Sequence, residues 1–289
     1  MNVLISGARG LIGGALTARL QSSGHSVTAL SRSPRAGELG WHFEAAQLEP
    51  FDAVVHLAGE SIASGRWTAA KKAAILETRV RTTTRLAQAL ATLKRPPGSL
   101  IVASAIGCYG DRPGEVLDEN SSYGDGFLAQ VDRRWEAAAE PARAAGVRVV
   151  HPRFGIVLSP DGGALKPLLT VFKLGLGGPI GSGRQMWSWI ALEDVAAALV
   201  HLLVTDSLAG PVNVVAPNPL PERDFAAILG RVLRRPAFMP LPSFAARLVL
   251  GEMATELLLA DQDVRAGRLL DSGYSFAFTD LETALRSML

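Results

Sequence analysis

The stretch Ser6-Gly7-Ala8-Arg9-Gly10-Leu11-Ile12-Gly13 leaves the chain few folds to choose from. It follows the aliphatic run Val3-Leu4-Ile5 and opens a segment in which Ile12, Leu16 and Leu20 recur at helical spacing, ending at Gly24, a residue suited to a helix C-terminus. A strand that turns directly into a helix leaves the first N–H groups of that helix without intrahelical partners, and the helix dipole adds positive potential there. Gly7 permits the turn, Gly10 lets an anion approach the backbone, and Gly13 lets helix and strand pack closely. The segment is therefore read as the seat of a dinucleotide pyrophosphate, with Ala8, Arg9, Leu11 and Ile12 as its other residues.

The rest of the first half supports this reading. Short apolar runs at Ser26–Leu30, Ala53–Leu57, Leu100–Ala103 and Val147–Val150 alternate with helical patterns over about 67–93 and 127–145. Strands apolar on both faces, separated by helices, predict a parallel sheet covered on two sides: an α/β, Rossmann-type doubly wound fold. A helix over Glu193–Val204 and a strand over Val212–Val215 are expected to return to that sheet. The domain expectation is a dinucleotide-binding unit of residues 1–152 plus about 193–215. A smaller, discontinuous, mainly helical substrate lobe takes about 153–192 plus 216–289, including the C-terminal extension.

Composition narrows the function classes. Lys plus Arg is 29 against 27 Asp plus Glu, a net charge of +2, too balanced for a nucleic-acid binder. The single cysteine, Cys108, excludes an internal disulfide and a thiolate zinc site, and the five histidines show no metal-ligand spacing. No basic leader and no apolar run of membrane-spanning length is read, so a cytoplasmic location is expected. Ser104 lacks the G-x-S-x-G elbow of a hydrolase.

The tip of the second strand reads Leu30-Ser31-Arg32-Ser33. A site selective for NAD(H) usually carries an acid here, and none occurs before Glu38. Ser31 and Arg32, with Arg9 in the glycine turn and Arg35 nearby, suit a 2′-phosphate. The expected cofactor is NADP(H), with NAD(H) second.

Two further segments carry a resemblance. Val54-Val55-His56-Leu57-Ala58-Gly59 and Ala103-Ser104-Ala105-Ile106-Gly107-Cys108-Tyr109-Gly110 resemble the cofactor-contacting strand end and the active-site serine strand of extended short-chain dehydrogenases. Ala58-Gly59-Glu60-Ser61-Ile62, Arg66-Trp67, Arg153-Phe154-Gly155 and Gly175-Leu176-Gly177-Gly178-Pro179 narrow it to the SDR39U1/YfcH-like group of the epimerase/dehydratase superfamily. The resemblance extends over the helical C-terminal part. It implies cofactor contacts from Leu57, Ala58, Gly59, Glu60, Arg79 and Ser104, and substrate contacts from the glycine-rich loop, where Arg184 and Gln185 bind and Trp187 is an apolar wall, with Arg153 beside them. The tryptophans can equally be core. Where the group often has a histidine, this chain has Ala191.

The superfamily's acid–base pair is a tyrosine with a lysine four residues on, one above the other on a helix. This chain has three tyrosines, Tyr109, Tyr123 and Tyr274, followed at that spacing by Pro113, Phe127 and Phe278, and no lysine lies between Lys94 and Lys166. Phe127, Leu128, Val131 and Asp132 stand where the pair belongs. Ser104 with Tyr109 are the remaining candidates for catalysis, with a proton relayed through water as the other route. The leading expectation is an NADP(H)-dependent oxidoreductase or epimerase-like protein acting on an unidentified small carbonyl or hydroxyl compound. A non-catalytic NADP(H) sensor or scaffold is the alternative, and a nucleotide-sugar epimerase is a weaker one. No membrane partner is expected, and a homodimer is compatible with the sequence.

Overall fold

The computed structural model describes residues 1–289. Five strands open the chain: β1 (Asn2–Ser6), β2 (Ser26–Ser31), β3 (Leu39–Gly40), β4 (Ala53–His56) and β5 (Ser99–Val102). Two more, Arg148–Phe154 and Gly210–Val214, continue a sheet whose order is Gly210–Val214, Arg148–Phe154, β5, β4, β1, β2, β3; the short strand Ser104–Ala105 also pairs with Arg148–Phe154, and every pairing is parallel. All residues of β4 and β5 are buried, as a sheet covered on both faces requires. The strand order reverses beside β1: β2 lies on one side and β4 on the other, in register at Ser6 with Leu30 and His56. A crevice opens at such a reversal, above the C-terminal strand ends.

Helix α1 (Leu11–Ser22) packs beside α6 (Leu192–Val204), and the long α2 (Ala69–Ala91) packs beside α3 (Phe127–Ala137) and α4 (Glu140–Ala144). The Thr68 side chain caps α2 by accepting from Lys71 N. The sequence pattern suggests one helix over 127–145, whereas the chain forms two. Pro141 has no N–H to continue the ladder, and its ring opposes the carbonyl of Ala137 four residues back, so α3 stops there.

Residues 159–185 contain more regular structure than their glycine content suggests. Gly162–Gly163 pairs with the strand Ile156–Ser159, and α5 (Leu165–Lys173) buries Leu165, Leu169 and Phe172. Those three residues, at i, i+4 and i+7, were the available helical signal. The segment from Gly175 to Arg184 remains irregular, with Gly175, Gly181 and Gly183 at positive φ.

A second apolar cluster joins α5, α7 (Glu222–Leu233) and α11 (Leu281–Met288) through Phe172, Trp187, Phe225 and Leu285. The C-terminal part does not all belong to it. Asp263–Val264 pairs with Val116–Leu117, and Val264, Leu269 and Tyr274 join the main core. The expected lobe of 216–289 is thus divided between two cores. No helix is long and apolar enough to cross a membrane.

Candidate cofactor and reaction site

The glycine turn lies at the strand-order reversal. Gly7 has φ +76°, and Gly10 N donates to Gly7 O at 2.9 Å. Gly10 is the N-cap of α1, is exposed, and offers no side chain to cap the helix. A Cβ there would meet only Gly7 O, at 3.2 Å, whereas a Cβ at Gly13 would lie 2.1 Å from Gly7 O. Gly10 thus leaves an open cradle of backbone N–H groups, and Gly13 holds helix to turn. A Cβ at Gly7 would meet Leu57 C and Ala58 N at 3.0 Å, so the segment following β4 forms the adjoining wall. This arrangement fits an anionic pyrophosphate, with Ala8, Leu11 and Ile12 half-buried around it.

At the tip of β2, Arg9 and Arg32 are exposed. Arg9 pairs with Glu38 and donates to Ser31 Oγ at 3.3 Å. Hydrogen bonds from Arg35 N and the Arg9 guanidinium hold the Glu38 carboxyl below its ordinary range. The acid that is distant in sequence thus folds back to steady Arg9, leaving Arg32 and Arg35 without an ion-pair partner at this tip.

On the other side of β1, Arg79 supports the Ala58-Gly59-Glu60 turn from beneath. Its Nη1 donates to Glu60 O at 2.8 Å and to Ile75 O at 3.1 Å, and its guanidinium lies 4.8 Å over the Trp135 ring. Lys71 pairs with the Glu60 carboxylate. His56, at the end of β4, is fully buried between the Ser6 hydroxyl and Thr82 Oγ1. Burial first, and the Arg79 charge second, push its pKa down to about 3, so the ring is neutral. Arg79 and His56 therefore set the shape of the cofactor wall.

The reaction end differs from the sequence expectation. Ser104 is buried and donates to Glu136 Oε1 at 2.6 Å. Tyr109 has no exposed surface; its hydroxyl donates to Asn213 Oδ1 at 2.7 Å and accepts from Arg153 Nη1 at 3.0 Å. Burial raises the Tyr109 pKa despite the adjacent guanidinium. Arg153 grips Glu136 with two bonds, at 2.9 and 3.0 Å, and Tyr123 donates to the same carboxylate at 2.6 Å. Burial alone would raise the Glu136 pKa, but the hydrogen bonds and charge of Arg153 outweigh it and hold it low. Ser104, Tyr109 and Arg153 are thus joined in one buried network whose polar groups satisfy one another, a structural role beside the catalytic and substrate-binding ones expected of them.

Alternation along Ser104–Ala105 turns Ser104 inward and leaves Ala105 partly exposed. Leu128 and Asp132 of α3 flank Gly107: a Cβ on Gly107 would lie 3.1 Å from Leu128 Cβ and 3.3 Å from Asp132 Oδ2. The N-terminus of α3 is capped from far along the chain, Glu256 accepting from Phe127 N and Leu128 N at 2.7 Å each.

In the glycine-rich loop only Arg184 of the expected substrate residues is exposed. Gln185 is buried and donates to Ile180 O and Leu258 O. Trp187 is buried against Phe225, 5.1 Å between ring centres, with its indole N–H directed at Leu258 O. Both hold the loop to its neighbours, as does Trp189 through Asn218 O. Ala191 is fully buried in the strand Trp189–Ala191. Glu136, Asn213 and Glu256 were missed at the sequence level because their partners lie far away in sequence with no local spacing to mark them, and Glu38 because its link to Arg9 spans 29 residues.

A parallel sheet with a bare-glycine turn at its reversal point, continued by a structured wall after β4, defines a dinucleotide-binding protein. Residues 3–215 match the NAD dependent epimerase/dehydratase family and residues 241–288 a domain of unknown function (DUF1731). The chain belongs to that epimerase/dehydratase family. It is 42% identical to the epimerase family protein MT2273 of Mycobacterium tuberculosis over 98% of this chain and 96% of the relative. It is 38% identical to human epimerase family protein SDR39U1 over the whole of both chains. The crystal structure of human SDR39U1 (isoform 2) with NADPH superposes with a TM-score of 0.94 at 39% identity, covering 100% of this chain and 99% of that one. A nucleoside-diphosphate sugar epimerase from Corynebacterium glutamicum gives a TM-score of 0.82 at 36% identity, this chain spanning 58% of its length. The chain is an epimerase-family protein of the SDR39U1 type.

Proposed function

We propose that this chain binds NADP(H) across the β1–β4 crevice and exchanges hydride with a small carbonyl or hydroxyl compound. The observation that carries the reading is the open Gly10 cradle with Arg32 exposed beside it at the tip of β2. The human relative crystallised with NADPH supports the choice of cofactor. Gly7, Gly10 and the first turn of α1 would hold the pyrophosphate, Arg9, Ser31 and Arg32 the 2′-phosphate, and Leu57 to Glu60 the following wall. The cofactor, when bound, supplies hydride from its nicotinamide. With Ser104 and Tyr109 engaged elsewhere, the proton that accompanies hydride comes from water in the crevice.

A second reading, a holder of NADP(H) without turnover, is favoured by one observation: Ala105, Leu128 and Asp132 occupy the reaction side where the superfamily has its hydroxyl and amine groups. Both readings exclude ordinary nucleotide-sugar epimerisation. The test follows NADPH oxidation against small aldehydes and ketones, with UDP-glucose and UDP-glucuronate alongside. Consumption by a carbonyl compound supports the oxidoreductase; tight binding with no turnover across the panel supports the holder. Rapid epimerisation of a UDP-sugar would refute both.

A further inference from the structure

The exposed apolar side chains of this protein are not scattered. Of the fourteen large ones at the surface, nine fall in two short segments, 171–176 and 238–249. Single exposed apolar residues are ordinary, but such a concentration marks a surface with a partner. The first segment is the end of α5 with the turn beyond it, and the second is an extended stretch leading into α8 (Ser243–Leu250). They adjoin: Met239 N donates to Gly177 O at 3.1 Å, Leu241 N to Pro179 O at 2.8 Å, and Gly181 N to Leu241 O at 2.8 Å. On α8, Phe244 and Leu248 stand four residues apart on one exposed face, and Ala246, on the opposite face, is buried.

The charge around these side chains has one sign. No Asp or Glu lies between Asp161 and Glu193, nor between Asp224 and Glu252. Lys166, Lys173, Arg234, Arg235 and Arg247 fall in those intervals; all are exposed and none has an ion-pair partner, whereas Arg231 pairs with Glu282. Arg234 is the one non-glycine residue at positive φ, at 53°, where it ends α7. Glycine or asparagine suits that conformation better, so a cation is kept there against the backbone preference.

These features choose between occupants. Phe238, Phe244 and Leu248 are 75%, 72% and 74% exposed, so their side chains stand clear of the surface and do not line a groove for a peptide. A second copy of this chain would set cations against cations with no acid between them. An anionic lipid surface accepts apolar tips below its headgroups and attracts the cations around them. We propose that the face formed by α8, the stretch before it and the end of α5 docks on an anionic bilayer surface. Phe238, Phe244 and Leu248 insert, and Lys173, Arg234, Arg235 and Arg247 meet the headgroup phosphates. The sequence expectation of no membrane partner rested on the lack of a spanning run, and a surface contact needs none. Arg66 Nη2 donates to Leu248 O at 3.1 Å, which ties the docked face to the loop that follows the cofactor wall.

The experiment sediments the full chain with phosphatidylcholine vesicles, and with vesicles that also carry phosphatidylglycerol, at low and high salt. Wild type is expected to partition at least about tenfold more strongly onto the anionic vesicles and to be released by salt. Arg234→Gln with Arg235→Gln should weaken that partitioning about tenfold to thirtyfold, since each cation near the surface contributes about fivefold. Phe244→Ser with Leu248→Ser should abolish it. Both pairs should melt with wild type, because all four side chains are exposed. Sedimentation equilibrium without lipid runs in parallel. No partitioning onto phosphatidylglycerol vesicles, equal partitioning onto neutral ones, or unchanged partitioning in either folded variant overturns the proposal. A wild-type dimer that Phe244→Ser with Leu248→Ser turns into monomer assigns the face to a second copy and overturns it equally. If one pair fails to fold, the other pair and the lipid dependence of wild type decide.

Discussion

Substituting valine at Gly10 and at Gly13 separates two duties of the phosphate turn. At Gly13 the new Cβ would lie 2.1 Å from Gly7 O, 2.8 Å from Gly7 C and 2.9 Å from Ala8 Cα. All three are backbone atoms, so the turn itself must move. Overpacking of this kind costs about 1–3 kcal/mol, and a β-branched residue against rigid backbone belongs at the upper end. At roughly 2–4 °C per kcal/mol, Gly13→Val should lower the melting temperature by about 6–12 °C. At Gly10 the new Cβ meets only Gly7 O at 3.2 Å, and φ of −77° suits any residue. The fold loses only the difference between a glycine and a valine N-cap, about 1 kcal/mol or less. The side chain would nevertheless fill the cradle, and NADPH affinity should fall at least ~100-fold, equivalent to ~2.7 kcal/mol. Differential scanning fluorimetry without nucleotide, then NADPH titration by fluorescence, reads both quantities. A Gly10→Val protein that binds NADPH within threefold of wild type, or a Gly13→Val protein that melts with wild type, refutes the reasoning.

Arg153→Met should cost about 3–5 kcal/mol in urea unfolding, because it leaves the Glu136 carboxylate buried with only hydroxyl donors; a loss below ~1 kcal/mol would contradict the network. The lowered Glu136 pKa contributes stability above its unfolded value, near 4.5, which is lost as pH falls through the lower folded value, and the Arg153→Met protein should lack that acid-side component. His56 acts nearer neutrality. Its folded pKa, about 3, lies below the unfolded 6.5, so the unfolded chain takes up a proton first and stability falls as pH drops from 6.5 toward 3. Melting temperatures at pH 7.5 and 5 should show this decline in wild type and a smaller one in His56→Asn; equal slopes would place the loss elsewhere.

The parts of this protein written locally were legible in its sequence. Gly7, Gly10 and Gly13 were legible as a strand–turn–helix junction because the three parts are contiguous in the chain, and apolar runs such as Ala-Val-Val and Leu-Ile-Val announce a two-sided sheet. The absence of a tyrosine–lysine pair was equally local, since it is a spacing of four on one helix. Side-chain roles at the reaction end were not legible, because they depend on which face of a strand a residue takes and on partners far along the chain. Ser104 and Tyr109 read as candidates for catalysis, but Ser104 turns toward Glu136, and Tyr109 is tied to Asn213, 104 residues away. Trp187 and Gln185 stand in a loop suited to ligand contact, and Leu258 draws both into the packing instead. Pro141 was a readable break, passed over because the apolar pattern continued across it.

The central claim is that an open glycine cradle, with a free arginine at the tip of β2, selects NADP(H). Titration of wild type and Arg32→Ala with NADPH and NADH, at one fixed salt concentration, tests it most directly. A charge-assisted contact from Arg32 to the 2′-phosphate is worth roughly 1.5–3 kcal/mol. Wild type should therefore bind NADPH about tenfold to a hundredfold more tightly than NADH, and Arg32→Ala should lose most of that preference by weakening NADPH alone. Equal affinities in wild type, or an unchanged preference in Arg32→Ala, would contradict the account.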